Sequence, residues 1–142
     1  MSPPRRGMNW LRLAFAAYAV LLFTGTHWPK LNIQGPVPRS DLWVHLVAFG
    51  SWSALITLCA FFGPWFTRRN LLLSWILALG YACIDEGLQG IPALGRTCAW
   101  DDLAFNWLGI TLASITLALA ARTIAPAASP AQPLPESTSN GR

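Results

Sequence analysis

The sequence predicts an all-α fold: a polytopic membrane four-helix bundle with both chain ends on the cytoplasmic side. Three observations lead there. Hydrophobic residues make up 54% of the 142-residue chain and charged residues only 11%, whereas soluble domains carry about a quarter charged residues. The apolar residues arrive in four blocks, each close to the ~20 residues that carry a helix across a bilayer. Basic residues also favour one set of block ends: Arg5, Arg6, Arg12, Arg68, Arg69 and Arg122 against Lys30, Arg39 and Arg96. The richer side is cytoplasmic.

The first block runs from about Leu11 to Trp28. Arg5 and Arg6 precede it, and Arg12 lies one turn in, where a long side chain can reach back to the interface. A basic start and an apolar centre also suit a secretion signal. The block nevertheless ends in Thr24-Gly25-Thr26-His27-Trp28-Pro29 with no small-x-small cleavage pattern, so it reads as a retained helix. A loop rich in Pro and Gly leads to the second block, Leu42 to about Phe62, which Gly63-Pro64 closes ahead of Arg68-Arg69. The third block spans Leu71 to Leu88. A second polar loop, Gly90 to Trp100, precedes the fourth block, Leu103 to about Ala121. Trp10, Trp28, Trp43, Trp65 and Trp100 fall at block ends, as an interfacial aromatic belt requires. The organisation expected is a cytoplasmic N-terminus over 1–9, a membrane domain over 10–125, and a tail of Pro, Ala and Ser over 126–142 that is disordered for want of apolar bulk.

The net charge of +4 is scattered over helix ends and forms no stripe, which argues against a nucleic-acid partner. Cys59, Cys83 and Cys98 are odd in number and lack CxxC or Cys/His spacing, so neither a disulfide framework nor a structural zinc site is indicated. The residues specify no cofactor, and the one expected partner common to all readings is the lipid bilayer.

Chain order places the polar residues. At the non-cytoplasmic ends fall Asp41 and His45, then Asp85, Glu86 and Gln89, then Asp101, Asp102 and Asn106, with Arg96 in the loop between. Spacings of three and four put Asp41 with His45, Glu86 with Gln89, and Asp102 with Asn106 on common helix faces. Gly109 and Ala113 continue the last face as a stripe of small residues that allows close helix approach. Ionisable groups at such depth cost about 3 kcal/mol each on insertion scales and occur paired or around a wet cavity. Each has a plain structural alternative. Asp41 and Asp101 stand where a helix N-cap belongs. His45 serves either as a satisfied buried ring or in proton transfer. Asn106 and Gln89 suit hydrogen-bonding scaffold, and Arg96 is either a balancing charge or an anion clamp. With a single histidine, Asp41, His45, Glu86 and Asp102 lack the His/Cys signature of zinc.

Three segments resemble the motifs of the VanZ-like family: Asp41 with His45, Glu86 with Gln89, and Arg96 with Asp102, Asn106 and Gly109. Their order and spacing match across about half the chain, with Leu42 standing where the family usually has lysine. The resemblance implies a membrane protein of the bacterial envelope, in the inner membrane, from a family named for a protein linked to teicoplanin resistance. Two functions then compete. In the first, the polar cluster binds or processes an anionic, amphiphilic or lipid-linked envelope molecule. His45, Glu86 and Asp102 would carry the chemistry, and Asp41, Gln89, Arg96 and Asn106 would hold the substrate. In the second, the cluster is interhelical glue in a partner-binding bundle. Five carboxylates against His45 and Arg96 favour the first, since glue needs matched partners.

Overall fold

The computed structural model describes residues 5–29, 38–95 and 97–124. The first four residues, Arg96 and the tail expected to be disordered lie outside them. Four helices follow in order: α1 (Arg5–His27), α2 (Ser40–Leu58), α3 (Arg68–Gln89) and α4 (Trp100–Ile124), with a short 3-10 turn at Pro92–Leu94. All four are long and apolar enough to cross a bilayer, and no strand occurs among the described residues.

Hydropathy carries the second span to Phe62, but α2 stops at Leu58, where side chains take over its last carbonyls. Asn70 Nδ2 donates to the Thr57 carbonyl at 2.9 Å and Trp65 Nε1 to the Leu58 carbonyl at 2.6 Å. The apolar run beyond then turns through left-handed residues, Ala60 at φ 52° and Phe66 at φ 62°. The third helix starts at Arg68, earlier than hydropathy suggests, because Thr67 Oγ1 accepts the Asn70 N–H at 3.3 Å as an N-cap. Asn70 is fully buried and joins both helix ends. Asn70→Ala leaves the Thr57 carbonyl without that donor, and we expect a loss of about 1–3 kcal/mol, read as a lower melting temperature in detergent.

The helices alternate in direction. Thr26, ending α1, meets Asp85 near the end of α3, and His45 near the start of α2 meets Asn106 near the start of α4. The contact between α2 and α4 is the most extensive, α3 packs on both, and α1 leans on α2 and α3. The core joins Leu22, Phe49, Trp52, Ile56, Ala78, Ala82 and Ile110. Phe15 stacks on Trp52 with centroids 4.7 Å apart, and Tyr18 donates to the Ala48 carbonyl at 2.9 Å, which fastens α1 to α2. Meanwhile Val20, Leu72, Ile84 and Leu119 are exposed while Asn70, Ser74, Gln89 and Asn106 are fully buried. Apolar side chains outside and polar ones inside suit a protein whose solvent is lipid.

The α2/α4 crossing is closest at two glycines. A Cβ on Gly50 would lie 3.1 Å from the Gly109 carbonyl oxygen, and one on Gly109 would run into the Leu46 backbone. The small-residue stripe therefore sets the helix separation, as small residues do where helices lack a hydrophobic drive to associate.

Candidate functional site

That crossing positions the first half of the polar cluster. With Gly109 against Leu46, the neighbouring His45 and Asn106, one turn before Gly109, face each other, and His45 Nδ1 lies 3.0 Å from Asn106 Oδ1. An amide oxygen only accepts, so Nδ1 carries the proton of the neutral ring and Nε2 keeps its lone pair. Asp102 Oδ2 stands 3.8 Å from Nε2, close enough for a charge contact but too far for a hydrogen bond. Both residues on this face of α4 are left with an unpartnered buried atom, Asp102 Oδ1 and Asn106 Nδ2.

The end of α3 supplies the second half. Gln89 Nε2 donates to Asp85 Oδ2 at 3.0 Å and reaches Glu86 Oε2 at 3.5 Å, as spacings of four and three on a helix allow. The Ala99 N–H donates to Glu86 Oε1 at 2.7 Å and so ties the approach to α4 onto α3. Thr26 Oγ1 donates to Asp85 Oδ1 at 2.9 Å, and His27 Nδ1 lies 3.7 Å from the same oxygen. Glu86 also lies within electrostatic reach of Asp102 and His45, so the two halves form one field.

Exposure falls steeply from rim to floor. The Asp101 side chain is 44% exposed and that of Asp102 only 14%, while Glu86 is 1% exposed. Arg39 contacts Asp101 directly and lies 3.9 Å from Asp41. Asp41 therefore sits at the rim with Arg39, apart from the buried group. It does not cap its helix: the N-cap of α2 is Arg39, left-handed at φ 54°, and Asp41 lies in the first turn. Asp101 does not cap either: α4 already begins at Trp100, so Asp101 also lies in the first turn, where its Oδ1 accepts the Asp102 N–H at 3.2 Å. Of the expected site residues, His45, Asp102 and Asn106 meet directly, Glu86 and Gln89 join them from α3, and Arg96 lies outside the described residues.

Sequence reasoning missed Thr26, His27, Arg39 and the Ala99 amide. The polar run Thr24-Gly25-Thr26-His27 ending an apolar block was the one available signal. Arg39 also reduces the surplus of charge, since its contact with Asp101 leaves the buried Asp85 and Glu86 and the partly buried Asp102 to face His27 and His45. Among the described residues no three His, Cys, Asp or Glu side chains assemble as metal ligands, and Cys59, Cys83 and Cys98 are all free.

A histidine with one nitrogen anchored and the other beside a carboxylate can take up and return a proton. Buried polar atoms without partners mark places where a ligand group or water completes the set. A family model described as VanZ/LLP1 matches residues 8–121. No curated protein and no solved structure matches the chain.

Proposed function

The chain belongs to the VanZ-like family, and from that membership and its buried polar cluster we propose that this membrane protein binds the head group of an amphiphilic or lipid-linked envelope molecule. The observation that carries the reading is the unpartnered pair on α4, the acceptor Asp102 Oδ1 and the donor Asn106 Nδ2, on either side of His45. Residues serving only to join helices would satisfy each other. A donor and an acceptor left over one helical turn apart on the same face of α4 instead match a head group that both donates and accepts, such as one bearing hydroxyl or amide groups. His45 is then the proton carrier, with Asp102 Oδ2 standing 3.8 Å from its Nε2. Glu86 and Gln89 form the floor, Arg39 at the rim offers its charge to the anionic part, and Asp41 beside it can accept from a donor on the head group. In this reading the protein sits in the bacterial inner membrane with both ends cytoplasmic, the polar end opens to the extracytoplasmic side, and the process served is envelope integrity, including tolerance of glycopeptides such as teicoplanin.

The bonds from Thr26 to Asp85 and from Ala99 to Glu86 join separate elements and favour the second reading, a non-enzymatic partner-binding bundle with the cluster as glue. Binding separates the two. An envelope glycolipid precursor added to purified protein should raise the melting temperature of the wild type and leave that of Asp102→Asn unmoved, and equal shifts in both would remove the cluster from binding. Orientation is tested separately by labelling single cysteines with an impermeant maleimide. Exposed Cys98 should react in intact cells, and Ser139→Cys only after permeabilisation. External access at position 139 would place the polar end in the cytoplasm.

A further inference from the structure

We propose that a groove between α3 and α4, in the half of the bundle away from the polar cluster, holds an acyl chain of an anionic phospholipid whose phosphate rests on Arg68 and Arg69. The groove is a shallow, open one of about 450 Å³, lined by Arg68, Leu71, Leu72 and Trp75 from one side and Ile115 and Ala118 from the other. Its two hydroxyl-bearing neighbours are turned into the protein. Trp75 Nε1 donates to Thr111 Oγ1 at 3.3 Å, and Ser114 Oγ pairs with Ser53 Oγ at 3.1 Å. The surface left to the groove is hydrocarbon, which a lipid tail matches.

Charge selects the head group. Arg68 and Arg69 are exposed at the start of α3, and no ion pair reaches either among the described residues. The described acids, Asp41, Asp85, Glu86, Asp101 and Asp102, all belong to the opposite end of the bundle. The first turn of α3 contains no acidic residue, so nothing there offsets the positive end of the helix dipole, which adds to the attraction for an anion. An occupant must therefore bring an apolar tail and a negative head together. A phospholipid does both, whereas inorganic phosphate brings only the head.

Native mass spectrometry of the full chain in mild detergent, titrated with dioleoyl phosphatidylglycerol or dioleoyl phosphatidylcholine, tests this. The wild type should retain one phosphatidylglycerol in preference to phosphatidylcholine. Arg68→Gln and Arg69→Gln should each weaken that retention by roughly fivefold, the effect of about one basic contact near a membrane surface. Ala118→Trp, which fills the groove, should abolish retention. Leu119→Trp, on the exposed face beside it, should not. Equal retention of the two lipids, indifference to both arginine substitutions, displacement by inorganic phosphate, or a dimer that Ala118→Trp dissociates would each overturn the proposal.

Discussion

Replacing Gly109 with alanine should give the largest loss of stability of any single methyl added to this bundle. A Cβ there meets the Leu46 carbonyl, and since both parties are backbone, neither can swing aside. The helices must separate, at a cost at the top of the overpacking range, about 3 kcal/mol. Gly50→Ala should cost less, because its added Cβ lies 3.1 Å from the Gly109 oxygen and a small shift relieves it. Separation would also pull His45 from Asn106, one turn away, so Gly109→Ala should lose function together with stability. Thermal melts of both variants in detergent check the order. Equal, near-wild-type melting of the two would mean that the crossing is looser than described.

The second large effect is functional. His45→Asn keeps an amide donor near the position of Nδ1 and so preserves the bond to Asn106, but it removes Nε2, the ring nitrogen that stands beside Asp102. We expect the fold to stay within about 0.5 kcal/mol of wild type and function to fall to the level of cells lacking the protein. Glu86→Gln should behave alike. Its amide oxygen can still accept from Ala99, so what is lost is the long 3.5 Å contact from Gln89, whose Nε2 keeps its bond to Asp85, and one carboxylate beside Asp85 and Asp102, whose mutual repulsion is thereby relieved.

The four helices were legible because a bilayer forces long apolar blocks, and the polar pairs were legible because helical spacing puts residues three and four apart on one face. What escaped the sequence has no period. Thr26 and Asp85 meet only because α1 and α3 run side by side, and nothing local to Thr26 announces it. Arg39, which by itself reads as a topology charge, has its role decided by where the start of α4 lies relative to that of α2. Its left-handed conformation likewise displaces the helix start, so that Asp41 falls inside the first turn and cannot cap. The end of α2 was misplaced because hydropathy cannot register that Asn70 and Trp65 supply donors to its final carbonyls.

The central claim is that the polar end is a ligand site and not a fastening. Its most direct test pairs two measurements on His45→Asn and Glu86→Gln: the melting temperature of each purified variant, and its ability to restore survival under teicoplanin or other envelope stress to cells lacking the chain. Loss of survival with an unchanged or higher melting temperature is the predicted result; a fall in melting temperature that tracks the loss of survival in both variants would contradict it.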